Sequence, residues 1–564
     1  MELPADAIAA TAAPKQPPPE KPEAIRVRTR VVFSFWAVIL LLGLPTWWKT
    51  TSIYRAELPL QEMLNWAEGS NAPSAYPLHI WISAPEFPCD EAQFIVHEIQ
   101  KILDDMNEYP ILHQRLHLVD PFPVPRRKED GTVPISQRCG GDRRDQDLGE
   151  PALKLLIEPA SAFKFDLETS TTTALAHIPS NAVAGEMKDL AQALYQTFRF
   201  EQIAAALYTV ASTTQNQNAQ AFLKSQPYEI VTSVEKQINR AYKSSPDFHL
   251  TFSLFAASGA PSSWDIQAAL QNHIQPLTRA LSKTANFEIT TQIQLYSAYS
   301  PAIHPVTDDS RNGTLLQQKD LTAFVNAAEW PLAPSIGDGP TINFILYVPS
   351  RDQVPLGIAG LGTTSWLIPQ WGGIQILNPV LTPNPMNDDL TLPHHLSAGV
   401  LDKPFEIVAA QLLSLLGISN IDELGSSLPL HLRLGAYNRL SALTLYLRAA
   451  SSLGSLSRLA QHLNNIPIPK NVAQLVDDTI GNLTACSQAF LGSQWHAALS
   501  HAKSAYMDSE KAFFDKSMVG QVYFPDEHKV AVYLPLLGPI GLPLLVGLLR
   551  ELKRLATKTT LVDK

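Results

Sequence analysis

Cys139 is the residue of this 564-residue chain whose surroundings come nearest to covalent catalysis. Gln137-Arg138-Cys139-Gly140-Gly141 partly fits the Q-A-C-[RQG]-G surround of a caspase-type thiol nucleophile. Such a thiol needs a histidine base, roughly 50 residues upstream in that family. His97 lies 42 residues upstream and His79 lies 60. The remaining features diverge. Arg138 stands where the pattern has alanine, Pro134 interrupts the strand that would present the thiol, and neither histidine precedes a glycine. A loop thiol, or a disulfide with Cys89, accounts for Cys139 better.

His113 and His117 have the spacing of two metal ligands on one helix face. Their segment, ILHQRLHLV between Pro110 and Pro121, has the composition of a strand, which would hold them far apart. Gly357, Gly360 and Gly362 in GIAGLG miss the dinucleotide-binding spacing and read as a loop. The chain has no HExxH, CxxC or GxxxxGK[ST]. Cys486 falls on an apolar helix face and reads as a core residue. These patterns imply no catalytic residue, no metal site and no cofactor.

The elements that would position such residues follow from periodicity. Strands are expected at 77–83, 153–159, 341–348, 364–368 and 374–377, and helices at 90–108 and 186–212. FHLTFSLFAA (248–257) and FEITTQIQLYSAY (287–299) read as strands flanking a helix that Ser262-Ser263-Trp264-Asp265 opens as a capping box. That order predicts a βαβ unit. From about 402 the period changes to 3.6. A helix is expected from Phe405 to Leu416 with Gly417 at its C-cap, then helices across 430–463 and from 470 to about 518. No internal repeat is present. Residues 56–68 read as a short amphipathic stretch on the lumenal membrane face.

Composition narrows the class. Charged residues make up 17%, below the ~25% of an average soluble chain, so part of the surface faces something other than water. The net charge of −10 is spread without long blocks, which argues against a nucleic-acid binder. Three cysteines exclude a disulfide-dense module and a four-cysteine zinc site.

Two apolar runs set the expected topology. VVFSFWAVILLLGLPTWW (31–48) is uncharged and close to the ~20 residues that span a bilayer. Trp47 and Trp48 at its end and Lys49 after it suit an uncleaved anchor. VAVYLPLLGPIGLPLLVGLL (530–549) is the second run. Lys15, Lys21, Arg26, Arg28 and Arg30 precede the first run, and Arg550, Lys553, Arg554 and Lys558 follow the second. The positive-inside bias therefore puts both termini in the cytosol and the intervening chain across the membrane. Asn312-Gly313-Thr314 and Asn482-Leu483-Thr484 both fall between the runs, as glycosylation sites on the lumenal side would. Asn312 sits in a turn-like stretch and Asn482 in a helical pattern. The second run repeats proline every four residues, at Pro535, Pro539 and Pro543, with Gly538 and Gly541 between them. Each proline frees a carbonyl four residues earlier, a cost in hydrocarbon unless neighbours satisfy it. The run reads as a kinked single-pass anchor or, because the small residues permit close helix approach, as a helix that packs in a membrane bundle through these five residues.

The expected organisation is an α/β lumenal domain with a helical C-terminal part between two transmembrane helices. Its boundaries are a disordered tail (1–30), a transmembrane helix (31–52), an α/β region (56–400), a helical region (402–520), a Pro/Gly-rich transmembrane helix (530–549) and a basic cytosolic tail (550–564).

Three stretches carry a resemblance. FSFWAVILLLGLPTWWKTTSIYRAELP (33–59), FPDEHKVAVYLPLLGPIGLPLLVGLL (524–549) and the central Ser365-Trp366-Leu367-Ile368-Pro369-Gln370-Trp371-Gly372-Gly373 with Asn378 together resemble the PIG-S family. The resemblance implies a subunit of the GPI transamidase of the endoplasmic reticulum membrane, which joins a GPI lipid to the new carboxyl end of a cleaved proprotein. It implies that the nucleophile belongs to a caspase-like partner, PIG-K, with PIG-T, PIG-U and a Gaa-type subunit as further partners. Membrane lipid, with GPI among the candidates, and indirectly the proprotein complete the expected contacts. The competing readings are a cysteine transamidase acting through Cys139 and an unrelated membrane-anchored lumenal hydrolase.

Overall fold

Two five-stranded sheets carry the middle of the chain in a computed structural model. It describes the chain apart from residues 1–20, 52–53, 72–75, 108–111, 120–148, 180–183, 213–216, 309–312, 326–329, 331–338, 384–388, 419–427, 464–465, 520–525 and 563–564. The described residues fall into two compact units. One is drawn from within Met1–Glu57, Ala460–Lys470 and Phe514–Lys564, the other from Leu58–Leu459 and Asn471–Phe513.

The first unit holds the chain's two ends. Helix α1 (Pro22–Val38) runs through a π turn (Ile39–Gly43) into α2 (Leu44–Thr51). It starts inside the stretch expected to be a disordered tail. Pro22 is the first helical residue, where a missing N–H costs nothing. The C-terminal part of the unit has the short α14 (Lys516–Val519) and the 37-residue α15 (Asp526–Val562).

In the second unit, α3 (Leu60–Ala67) buries Met63 and Trp66, and its Leu60 carbonyl accepts a bond from Ser457. Its apolar face is thus turned into the protein body and not toward a membrane. Then come β1 (Tyr76–Ser83), α4 (Cys89–Met106), β2 (Leu112–Leu118), β3 (Pro151–Ala160), β4 (Lys164–Leu167) and β5 (Thr173–Pro179). They form a sheet of order β2-β1-β3-β5-β4, parallel except for β4. Strands of a parallel sheet are covered on both faces, which is why Leu153, Leu155, Leu156 and Ile157 are all buried. Helix α4 crosses from β1 to β2 with Ile95, Ile99 and Leu103 buried at helical spacing. Helices α5 (Ala184–Ser212), α6 (Gln217–Ser225) and α7 (Tyr228–Arg240) follow.

The second sheet begins with β6 (Asp247–Ala256). After the two-residue β7 (Ser263–Trp264), α8 (Ile266–Ala269), a π turn (Leu270–Ile274) and α9 (Gln275–Ala280) return the chain to β8 (Asn286–Gln294). Strands β6 and β8 are adjacent and parallel over nine residue pairs, the βαβ unit that the alternation predicts. The hairpin β9 (Val306–Asp308) and β10 (Gly313–Leu316) comes next, then β11 (Thr341–Val348), β12 (Leu356–Ile358), β13 (Ser365–Ile368) and β14 (Gly372–Ile376). The sheet order is β13-β14-β11-β6-β8. Short pieces β15 (Thr382–Pro383), β16 (Leu390–Thr391) and β17 (His395–Leu396) lead to the helical part.

The expected capping box does not form. Ser263 and Trp264 pair in parallel with His395 and Leu396, and the carboxylate of Asp265 accepts the Ala398 N–H at the start of the next helix. Asp265 therefore caps an element 133 residues away, a use that local spacing does not reveal. That element is α10 (Ala398–Leu415), which begins seven residues before the expected Phe405 because Pro404 sits within it. Gly417 follows it at φ +83°, the left-handed turn that favours glycine.

Helices α11 (Leu430–His462), α12 (Lys470–Leu491) and α13 (Trp495–Phe513) complete the chain order. The body is mixed α/β with a helical C-terminal part, but the core ignores the composition change near 400. Phe405, Val408 and Leu412 of α10 pack with Phe252, Leu254 and Phe344 of the second sheet. Phe490 of α12 meets Tyr76 of β1 with ring centroids 4.7 Å apart, and Tyr446 of α11 at 5.6 Å. The helical stretch supplies one side of the sheets' own core.

Candidate functional site

The two terminal helices meet at their basic ends. Arg28 Nε donates to Glu551 Oε1 at 2.6 Å, Thr29 Oγ1 donates to Glu551 Oε2 at 3.1 Å, and Arg554 lies 3.3 Å from the same oxygen. The Arg554 guanidinium also donates to Thr29 Oγ1 at 3.2 Å. The Glu551 side chain is only 4% exposed. Burial pushes its carboxyl up, but the bonds from Arg28 and Thr29 and the charges of Arg554 and Arg28 hold it below the usual carboxylate range. One acid of α15 thus accepts bonds from Arg28 and Thr29 of α1 and pairs in charge with Arg554 of its own helix.

Beyond this clamp most of the described side chains of the two helices are exposed. Among the described residues, one helix is long and apolar enough to cross a membrane: the 25 residues Pro22–Thr46, about 37 Å long. Val31, Phe35, Leu40, Leu41 and Leu42 are exposed along it. Contiguous apolar exposure of that kind needs a nonaqueous surround or a partner. Helix α15 is continuous through Pro535, Pro539 and Pro543. All three prolines are exposed, and a Cβ added at Gly538, Gly541 or Gly547 would meet nothing within 4 Å. The Pro/Gly stripe is an open surface.

The residues with chemical potential are dispersed or engaged. Cys139 lies outside the described residues. Cys89, the first residue of α4, is in a disulfide, and Cys486 is a free thiol. The expected Cys89–Cys139 alternative falls on a residue outside the described ones. Cys486 is buried, donates to the Ala498 carbonyl, and has its thiol pushed up by burial, the reverse of nucleophile activation. His97 is exposed on α4. His79 and His117 touch edge to face across β1 and β2, with centroids 4.6 Å apart. His113 and His117 share β2, so about 13 Å separates them along the strand. His113 Nδ1 bonds the Asn107 amide, and burial, then the Arg115 charge, lower its pKa. Among the described residues no three metal-ligating side chains converge. Gly357 lies in β12, and the loop at Gly360 leads to a strand, not to the helix N-terminus that phosphate binding uses.

The central SWLIPQWGG motif and Asn378 prove to be architecture. Ser365–Ile368 and Gly372–Ile376 are the two arms of the β13–β14 hairpin. Gln370 at its tip is left-handed (φ +53°), donates its N–H to the Arg240 carbonyl, and sends its amide to Asn239. Asn378 accepts the Leu356 N–H and donates to the Leu356 carbonyl, both at 2.9 Å, which imitates a strand neighbour.

A buried ion pair is the feature that sequence reading missed. Glu201 of α5 and Arg439 of α11 form two parallel bonds of 2.6 and 2.8 Å. They wall an apolar cavity lined by Phe198, Tyr208, Tyr242, Leu432 and Tyr437. A lone charge inside FEQIAAALY and another inside NRLSALTL were the available signal. Nothing in either helix pairs the two.

The two sequons differ. Asn312 lies outside the described residues, in the connection between β9 and β10. Asn482 is in the interior of α12, where its amide donates to the Asp478 carbonyl and its oxygen meets His501 at 3.1 Å.

Comparison with known proteins finds similarity along nearly the whole chain. The family profile described as PIG-S, phosphatidylinositol-glycan biosynthesis class S protein, matches residues 34–558. A Schizosaccharomyces pombe protein named GPI transamidase component PIG-S homolog is 28% identical over 545 residues, which cover 94% of this chain and 85% of that protein. The human GPI-anchor transamidase component PIGS is 27% identical over 558 residues, covering 92% of this chain and 94% of the human protein.

Proposed function

The chain belongs to the PIG-S family, and from that premise we propose that it is a non-catalytic subunit of a GPI transamidase in the endoplasmic reticulum membrane. The observation that carries this reading is a match running from residue 34 to residue 558, through both terminal helices and everything between. The structure supports it from another side. The residues of the central motif serve a hairpin and a backbone bridge, and the one free thiol among the described residues, Cys486, is sealed in a core. In this reading the nucleophile comes from the caspase-like PIG-K, and PIG-T, PIG-U and a Gaa-type subunit are the other partners. Purification of the full chain in mild detergent tests it. The expected result is recovery of a GPI transamidase containing a caspase-like subunit; a chain that migrates alone, or with unrelated proteins, overturns it.

The topology belongs to the same proposal. Both terminal helices cross the bilayer, both termini are cytosolic, and the body is lumenal. The Arg28–Glu551 clamp favours this arrangement, since it requires the start of α1 and the end of α15 to lie on one side. A lumenal body exposes the Asn312 sequon to glycosylation. We expect Asn312→Gln to abolish an endoglycosidase-sensitive mobility shift. Asn482→Gln should leave it in place, because Asn482 is held in a helix. A wild-type protein with no shift argues against glycan addition in the lumen.

The Pro/Gly stripe of α15 would then face neighbouring membrane helices, or lipid acyl chains held among them. Replacing Pro535, Pro539 and Pro543 together with leucine restores three N–H groups and fills the stripe. The expected outcome is normal membrane insertion with at least a severalfold loss of partner recovery. Full recovery would place the stripe against bulk lipid.

A further inference from the structure

The cavity beside the Glu201–Arg439 pair has more positive than negative charge in its walls. Among the described residues three charged side chains line it: Glu201, Arg433 and Arg439. Both oxygens of Glu201 are committed to Arg439, at 2.6 and 2.8 Å. Arg433 of α11 is therefore left without an acid. Its Nη1 donates to the Ile418 carbonyl at 3.0 Å, while its buried Nε makes no hydrogen bond among the described residues. Burial lowers its pKa, and among the described residues no carboxylate stands close enough to raise it again. A guanidinium drawn out of water in this way is costly until an anion meets it.

Much of the remaining wall suits a hydrocarbon. Phe198, Phe200, Leu432, Tyr242 and Tyr437 line it. Tyr242 and Tyr437 use their hydroxyls elsewhere, on the Thr341 carbonyl and on Ser441, so they add ring surface and not donors. Tyr208 differs. Its hydroxyl makes no hydrogen bond among the described residues, and burial pushes the phenol up to about 12, which keeps it a neutral donor. The enclosed space is about 70 Å³. That is several times the ~10–15 Å³ that one water needs and less than the ~150 Å³ of a cavity that admits benzene. A carboxylate or a phosphate with its first carbons fits there, and a longer chain has to leave by the open side.

We propose that this cavity is a binding site for a single-chain amphiphile with a compact anionic head, a fatty carboxylate or an alkyl phosphate, whose head pairs with Arg433 and whose first carbons lie against the aromatic wall. Tyr208 is a further donor for the head. A bare anion would leave the aromatic surface against water, and an uncharged chain would leave Arg433 as poorly solvated as before. The site goes beyond the reading of the chain as a transamidase subunit and does not rest on it, since every group named belongs to the body of this one chain.

Photolabelling of the full chain in maltoside detergent with a diazirine-bearing octanoate tests the proposal, with the labelled peptides mapped by mass spectrometry. Label is expected on the lining stretches of α5 (196–208) and α11 (432–441). Excess octanoate or octyl phosphate should compete, and the better of the two identifies the head; octanol and inorganic phosphate should not. Arg433→Gln is expected to lower the labelling at least about fivefold. That variant also touches the bond to Ile418, so Ala436→Phe is run beside it: it fills the cavity without altering a charge and should remove the label, and octanoate should raise the melting temperature of wild type but of neither variant. Labelling confined to α1 and α15, or unchanged in both variants, overturns the proposal. Competition by inorganic phosphate as strong as by octanoate would reduce the site to a simple anion site, and equal competition by octanol would reduce it to an apolar hole; either result overturns it. So does label that appears only in Asp422→Asn with Glu423→Gln, since acids of this chain, outside the described residues, would then be the occupant.

Discussion

Arg439→Met is expected to destabilise the body by about 3–5 kcal/mol, because it strands the Glu201 carboxylate in a site that is 3% exposed. The loss of two bonds is the smaller part. The larger part is a charge removed from water with no compensating donor nearby. Glu201 lies on α5 beside the aromatic cavity, and among the described residues Arg439 is its hydrogen-bond partner. The double variant Glu201→Leu with Arg439→Met should recover most of the stability, since a buried ion pair exchanged for apolar groups of similar size is often near neutral. Thermal melting and limited proteolysis of the three proteins make the comparison. A single variant that melts with wild type, or a double variant no better than the single, would show that the pair is not the contact that joins α5 to α11.

The same pair marks the limit of what sequence could reveal. Elements whose cause is local were legible. The alternation in FHLTFSLFAA and FEITTQIQL gave two strands of a βαβ unit, and the 3.6-residue period after 402 gave α10 to α13. Gly417 was legible because a helix C-terminus needs a left-handed residue and glycine takes that conformation most cheaply. What failed had a distant cause. Asp265 looked like part of a cap for its own helix, yet it serves α10 across 133 residues. Glu201 and Arg439 are 238 residues apart. The motif SWLIPQWGG could be matched to a family from its letters, but its purpose could not be read from them. A glycine pair reads equally well as a phosphate loop or a tight hairpin until its neighbour in space is known. The first terminal helix was legible as an apolar run, but its true start at Pro22 was hidden by a proline-rich lead. Of the clamp, the basic residues were visible and Glu551, the acid they share, was not singled out.

Gly372 shows what that neighbour in space demands, and a substitution there should be the most damaging single-methyl change in the second sheet. It opens β14 opposite Asn343 of β11, at φ +157°, a conformation that side chains rarely adopt. A Cβ built at this position would lie 1.8 Å from the Asn343 carbonyl oxygen and 2.9 Å from its amide nitrogen. Neither atom belongs to a flexible side chain. The Asn343 N–H is itself committed to the Trp371 carbonyl at 3.0 Å, so the strand cannot retreat without breaking that rung. Backbone strain and overpacking add here, and Gly372→Ala should cost about 3 kcal/mol or more. The damage falls on β11, whose Phe344 and Leu346 form one core face while Ile345 and Tyr347 form the other, so both sides of the sheet loosen together. Gly399→Ala is the matched control. It adds the same methyl within α10, where nothing lies within 4 Å, and helix propensity favours alanine by about 1 kcal/mol. Lower steady-state abundance and an earlier melt are expected for Gly372→Ala alone. Equal melting of the two variants would mean that the β11–β14 contact yields more easily than its backbone geometry implies, and that the glycine in SWLIPQWGG is held for some other reason than space.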